Sequence, residues 1–204
     1  MGQRIDLTAE VAIDGVRLPI DPELVSYLVY KPVGVVTTMA DPQGRPTVVD
    51  LVPKEPVTKP VGRLDLHSEG LLIMTNDGYL ADVCLHPRYQ MPKTYHVLAA
   101  QRVRDADLQP LVEGVELDDG PARATSARTI DRSGDRTIVE LVLTEGRKRE
   151  VRRMFDAIEV DVDRLVRTAI GPVRDRSLAP GGYRDLTLEE TRSLLAFGKD
   201  TDDG

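Results

Sequence analysis

The chain has 204 residues, 41% of them hydrophobic, and its 34 acidic residues outweigh 27 lysines and arginines to give a net charge of −7. These values suit one large domain or two small ones, exclude a wholly disordered chain and weigh against a nucleic-acid partner. One cysteine, three scattered histidines and no long apolar stretch exclude a disulfide framework, a structural metal and a membrane span, as expected of a soluble cytoplasmic protein.

The first half of the chain is predicted to be mainly β-strand. Apolar and β-branched runs predict strands at Ser26–Lys31, 33–38, 71–75 and 94–99. Residues 41–44 (Asp-Pro-Gln-Gly) predict a turn before a short helix at 47–51. A second short helix is predicted at 79–85, after the Asn-Asp-Gly turn at 76–78 that closes the third strand.

The second half of the chain adds longer helices to the strands. Helices are predicted at 105–113, 148–158 and 188–197, and strands at 122–130, 137–144 and 164–170. The first of these helices is expected to begin with Asp105 as its cap and to end before Gly114. The last one is expected to open with a capping box of Thr187 and Glu190.

These elements lack the regular alternation of strands and helices that builds a parallel sheet. They therefore predict an α+β fold with a mostly antiparallel sheet and a few flanking helices. We expect the main domain to span residues 25–197. It would be preceded by a separate segment, 1–24, and followed by a flexible tail, 198–204.

The segment between Gly62 and Gly70 has the most concentrated set of reactive side chains. It holds arginine, aspartate, histidine, serine and glutamate directly before an apolar strand, and its glycines allow a substrate to approach the backbone closely. Spacing alone identifies no nucleophile here. The simpler interpretation of Asp65 is a turn or cap residue paired with Arg63.

Residue identities carry more information than spacing. Gly62-Arg63-Leu64-Asp65, followed by Ser68-Glu69-Gly70-Leu71-Leu72, resembles the active-site loop of pseudouridine synthases, specifically the RsuA-type group that modifies bacterial ribosomal RNA. Further motifs of that family occur in its order within residues 25–190: Lys31-Pro32-Val33-Gly34, Lys93-Thr94-Tyr95, the 145–154 segment EGRKREVRRM, Arg167-Thr168-Ala169-Ile170-Gly171 and Gly182-Tyr183-Arg184-Asp185-Leu186.

The resemblance implies that the chain isomerises uridine to pseudouridine in ribosomal RNA, at a central cleft and without a cofactor. By motif position Asp65 is the catalytic aspartate, and Arg152 is the arginine that pairs with it. Whether Asp65 adds to the sugar, adds to the base or removes a proton at C2′ stays open, because a carboxylate suits each role. Tyr95 matches the tyrosine that stacks on the flipped uridine, although a core aromatic is an alternative.

Other basic residues of these motifs are expected to contact RNA. Arg63 matches a residue that enters the space left by the flipped base, and binding a phosphate is an equal alternative. On the predicted 148–158 helix, Arg149 and Arg153 face away from the apolar side, where phosphate contact is expected. The full set of expected RNA contacts is Arg63, Lys31, Lys93, Arg147, Lys148, Arg149 and Arg153.

Two departures from the family leave a second hypothesis open. Residues 1–24 resemble only the end of the N-terminal RNA-binding domain that many members carry, and the net charge is acidic. The chain could therefore be a catalytically silent RNA-binding factor of ribosome assembly that keeps the fold. Such a factor would tolerate Asp65→Ala, whereas an enzyme would not. In either case a monomer is expected.

Overall fold

The computed structural model describes residues 11–13, 16–18, 21 and 23–198. Most of the predicted N-terminal segment, 1–24, and nearly all of the predicted tail lie outside these residues. Within the described part of the chain, no helix is long and apolar enough to cross a membrane.

The described residues form thirteen strands and four α-helices. The strands are β1 (Val11–Ile13), β2 (Val16–Leu18), β3 (Ser26–Lys31), β4 (Lys59–Val61), β5 (Glu69–Thr75), β6 (Lys93–Ala99), β7 (Val115–Leu117), β8 (Gly120–Ala122), β9 (Ser126–Ser133), β10 (Arg136–Leu143), β11 (Val162–Ile170), β12 (Val173–Arg174) and β13 (Tyr183–Asp185). The helices are α1 (Gly78–Leu85), α2 (Gln109–Glu113), α3 (Glu150–Ala157) and α4 (Leu188–Leu195).

Nine of these strands form one sheet in the order β13-β3-β5-β11-β6-β10-β9, with β4 added to β5 and β12 added to β11. All of its described pairings are antiparallel except that of β5 with β11. The hairpins β1–β2 and β7–β8 are separate. The predicted α+β fold with a mostly antiparallel sheet is therefore confirmed.

The apolar pattern explains how the sheet is covered on both faces. Every side chain of β5 is buried. Leu71 and Ile73 join a core with α1 and α4, whereas Leu72 and Met74 face a smaller core on the other side. At the other half of the sheet, α3 packs its apolar side against β6, β10 and β11.

The predicted capping box is confirmed, whereas the strand predicted at 33–38 is wrong. The capping box of Thr187 and Glu190 is formed, with Glu190 N donating to Thr187 Oγ1 at 3.1 Å and Thr187 N donating to Glu190 Oε2 at 2.9 Å. The strand expected at 33–38 is reduced to one isolated bridge, because Pro32 lacks an amide proton and Gly34 adopts φ +87°.

Two other predictions need correction. The segment from Asp105 starts as a 3-10 helix, Asp105–Leu108, before α2, and its cap residue is Arg104. The strand predicted at 122–130 is divided into β8 and β9. These are boundary effects of local geometry, and they leave the sheet order unchanged.

At Gly70 the backbones of β5 and β11 are in close contact. Gly70 pairs with Arg167 in the parallel register and has φ +110°. A methyl group on its Cα would lie 2.6 Å from the backbone nitrogen of Arg167 and 2.9 Å from its carbonyl carbon. Because backbone atoms on both sides are fixed by the sheet, only glycine fits here.

We expect Gly70→Ala to lower the free energy of unfolding by at least about 3 kcal/mol, because the clash is with backbone rather than with a movable side chain. The matched control is Gly44→Ala, whose glycine has a similar positive φ of +70° but open space around it. It should lose only about 1–2 kcal/mol from backbone strain. Urea unfolding of both variants measures the difference, and equal losses would contradict the steric argument.

Candidate active site

A cavity of about 520 Å³ is lined by residues of β5 and β11, the two strands that pair in parallel. Its walls come from the 61–65 loop, from β6, from the 143–151 segment and from β11. A volume of this size lies in the range of small-ligand sites. Four of the segments that carry the sequence motifs therefore meet at one place.

Asp65 lies half-buried on the cavity wall, in a loop whose backbone is fixed by hydrogen bonds. Thr37 Oγ1 donates to the carbonyl of Leu64 at 2.7 Å and accepts from its amide at 3.2 Å. Gly34 N donates to Leu66 O at 2.9 Å. Among the described residues the Asp65 carboxylate itself has no hydrogen bond or ion pair, so its oxygens are available to a ligand.

Lys31 is fully buried behind this loop. Its Nζ donates to Ser68 O at 2.8 Å and to Pro32 O at 3.0 Å. Burial lowers the pKa of this amine to about 8, although the Asp65 and Glu69 carboxylates favour its charged form. The Lys31 ammonium thus supports the loop and does not reach the surface, so its predicted contact with RNA stays a prediction that this burial weighs against.

Arg152 supports the same loop from α3. Its Nη2 donates to His67 O at 3.1 Å and its Nη1 donates to Val162 O at 3.0 Å. No ion pair within 4.0 Å joins it to Asp65 in the described part of the chain, although the resemblance implied one. Burial lowers the pKa of this guanidinium, and the nearby Asp65 charge partly offsets that effect.

Tyr95 and Lys93 project from β6. Tyr95 is only 7% exposed and lines the cavity, but its ring also belongs to the core under α3, so both interpretations remain compatible with its position. Lys93 lines the cavity, and its Nζ lies 3.5 Å from Thr144 O. Burial lowers its pKa, and the Arg167 charge adds to that shift.

Arg167 is a cavity residue to which the motif comparison assigned no role. It is 4% exposed, and its Nε donates to Leu71 O at 2.7 Å. The sequence did contain a signal, because an arginine alternates with Leu165 and Ala169 at positions that face inward in a strand. Arginine is rarely buried in a strand, so an arginine at such a position points to a partner or a function inside the protein.

The basic segment at the start of α3 is partly neutralised. Asp119, from the β7–β8 turn, accepts from Arg153 at 2.8 and 3.0 Å and from Arg147 at 3.2 Å. These two arginines, which were expected to contact RNA, therefore form ion pairs with Asp119. Lys148 and Arg149 are exposed and have no acidic partner among the described residues.

Glu150 is a buried acid that the sequence analysis did not single out. Its Oε2 accepts from Arg147 N at 2.9 Å, which holds the 145–149 segment against α3. Burial, together with the neighbouring Glu145, raises the pKa of this carboxyl to about 7. Its position stabilises the cavity wall that carries the exposed cations.

Comparisons with known proteins agree on one family. A family model described as RNA pseudouridylate synthase matches residues 26–157. The chain is 40% identical over 199 residues to an uncharacterized RNA pseudouridine synthase of Mycobacterium leprae, covering 95% of this chain and 78% of that protein. It is 37% identical over 208 residues to the ribosomal large subunit pseudouridine synthase B of Escherichia coli, covering 95% and 70%.

Solved structures are similar as well. A crystal structure of a pseudouridylate synthase matches with a TM-score of 0.75 and 30% identity, over 94% of this chain and 83% of that one. An H/ACA ribonucleoprotein bound to a substrate RNA matches with a TM-score of 0.57 and 16% identity, over 76% and 50%. The second similarity concerns the fold alone.

We expect Thr37→Val to lower the free energy of unfolding by about 1–3 kcal/mol, because it leaves the buried amide and carbonyl of Leu64 without their partner. Thr38→Val is the matched control, since its hydroxyl is exposed and bonds only within its own turn. The control should change stability by less than about 0.5 kcal/mol. Thermal or urea unfolding compares them, and similar losses would argue against this anchoring of the loop.

Proposed function

The chain belongs to the RNA pseudouridylate synthase family, and from that premise we propose that it isomerises specific uridines of ribosomal RNA, with Asp65 as the catalytic residue. That it is an RNA pseudouridine synthase follows from the family. The name of the Escherichia coli relative, which refers to the large ribosomal subunit, supports ribosomal RNA as the substrate class. The observation that carries the catalytic assignment is an unpartnered carboxylate on a cavity wall, in a loop fixed through its backbone.

The reaction needs a group that stays close to the nucleotide while the base changes position. The bond between the sugar C1′ and uracil N1 breaks, the ring turns, C1′ bonds to C5, and the hydrogen of C5 leaves as a proton. A fixed carboxylate can add to the sugar, add to the base or take the C2′ proton, and these three roles remain open for Asp65. Each one requires the short, constant distance that the anchored loop provides.

A uridine within an RNA helix must leave the stack before its glycosidic bond can be reached. The cavity provides space for such a base, and the ring of Tyr95 on its wall can stack against it. Arg63 lies exposed two residues before Asp65. It suits either the space that the base vacates or a neighbouring phosphate.

RNA affinity is proposed to depend on the cations that have no acidic partner. Arg63, Lys148 and Arg149 line the cavity and are exposed, so phosphates can reach them. Lys93 lines the cavity as well but is half-buried, which suits contact with the bound nucleotide better than contact with the flanking backbone. Arg147 and Arg153 contribute less, since Asp119 already holds them.

We expect Asp65→Asn and Asp65→Ala to reduce pseudouridine formation to below about a thousandth of the wild-type rate, while RNA binding and melting temperature change little. The assay is release of tritium from C5 of uracil in separate transcripts of small- and large-subunit rRNA. Asp135→Asn, an exposed aspartate of the β9–β10 turn, is the control and should stay active. A near-normal rate for the Asp65 variants would remove that residue from the mechanism.

The same assay separates the enzyme from a silent assembly factor. Tritium release that depends on Asp65 is expected of the enzyme, and the transcript that supports release identifies the substrate. Tight binding of ribosomal RNA by the wild type, with no release from either transcript, would instead favour the binding factor.

Arg149→Ala should weaken RNA binding and reduce the slope of log K against log salt by about 0.7–0.9, because one phosphate contact is lost. Arg153→Ala is the matched variant, one turn further along in α3, and it should reduce the slope by clearly less, since Asp119 neutralises that guanidinium. Filter binding between 50 and 200 mM salt measures both slopes. Equal reductions would mean that RNA displaces Asp119 from Arg153.

A further inference from the structure

We propose that Arg167 is a further catalytic residue, whose guanidinium donates to a carbonyl oxygen of uracil and stabilises the negative charge that the ring takes on when its glycosidic bond breaks. This inference rests on the proposed function. It assigns a role to a cavity residue that has none in the proposed function, beside Tyr95 in the sheet.

The Arg167 guanidinium is buried but largely without partners. Its Nε donates to Leu71 O at 2.7 Å, and its Nη2 is buried without any hydrogen-bond partner. No carboxylate lies within 4.0 Å of it among the described residues, so the charge has no ion pair. A buried cation with an unused donor is unfavourable by itself, and a ligand oxygen in the cavity would satisfy it.

The register of the sheet puts Arg167 between β5, which follows the Asp65 loop, and β6, which carries Tyr95. It pairs with Gly70 of β5 on one side and with Tyr95 of β6 on the other. It lines the same cavity as Asp65, so a ring stacked on Tyr95 lies within the space that these residues enclose. The guanidinium is therefore placed to reach a ring that stacks on Tyr95, in the same cavity as Asp65.

A second unpartnered donor lies near the same strand pair. Ser68 is 1% exposed, lines the cavity, and its Oγ has no hydrogen-bond partner. It comes directly before Glu69, which pairs with Val166 next to Arg167. Two buried donors without acceptors in one cavity fit a ligand that presents oxygen acceptors, as the uracil ring does through O2 and O4.

The chemistry explains why a cation is useful at this position. When the C1′–N1 bond breaks, its electron pair remains on the ring and is shared by N1, O2 and O4, while C1′ becomes electron-poor. C5 then bonds to C1′, its proton leaves to water, and N1 takes up a proton, so the isomerisation balances. A fixed guanidinium in a site shielded from water stabilises the ring charge without having to reorganise.

The test combines enzyme variants with sulfur-substituted substrates. Arg167→Met should lower the single-turnover rate by about 10²-fold with little change in RNA affinity, and Arg167→Lys should recover part of the loss.

RNA that carries 2-thiouridine or 4-thiouridine at the modified position has one uracil oxygen replaced by sulfur, a poorer hydrogen-bond acceptor. We expect one of the two to slow the wild type and to cause no further loss in Arg167→Met. Arg174→Met, an exposed arginine of β12, is the control.

Each outcome has a distinct meaning. If the rate losses caused by Arg167→Met and by each thio substrate simply multiply, the inference is overturned. Independent losses are what a purely structural role of Arg167 predicts, because the variant then has no specific effect at O2 or O4. The inference is also overturned if neither thio substitution lowers the rate of the wild-type enzyme, and this result does not depend on how the variants fold. Turnover that needs Asp65 but not Arg167 would reject this inference alone, whereas a wild type inactive on all ribosomal transcripts would reject the proposed function together with it.

Discussion

The parallel pairing of β5 with β11 is the constraint on which the site depends. Among the described strands it is the link that joins the β13-β3-β5 half of the sheet to the β11-β6-β10-β9 half. The loop with Asp65 precedes β5, whereas Tyr95 and Arg167 belong to the other half. Because Gly70 lets the two backbones meet, residues that are far apart in sequence share one cavity.

Within that frame, the active-site loop is held by its backbone and leaves its side chains free. Carbonyls of Leu64, Leu66, His67 and Ser68 accept hydrogen bonds from four different donors outside the loop. Two of those donors are cations, and they bind carbonyl oxygens and not the carboxylate. The loop can therefore be rigid without neutralising Asp65, which is the arrangement that preorganised catalysis needs.

The sequence predicted local features well and long-range ones poorly. The capping box at Thr187 and the amphipathic α3 depend on neighbours within one or two turns, and both are present. Four of the segments that carry the family motifs line one cavity in the structure. The burial of Lys31 and the pairing of Arg153 with Asp119, 34 residues away, depend on the tertiary fold, so no periodicity could reveal them. The strand expected at 33–38 failed because Pro32 and Gly34 outweigh its β-branched residues.

The bridge that Asp119 makes between Arg147 and Arg153 has a consequence for how the enzyme finds its substrate. An RNA-modifying protein meets a large excess of RNA that it must not retain, and uncompensated cations prolong every such encounter. By holding two arginines in internal ion pairs, the β7–β8 turn keeps few free charges near the cavity. We expect brief dwell times on incorrect RNA as a result, with the uridine then selected by RNA shape and by the fit of the flipped base.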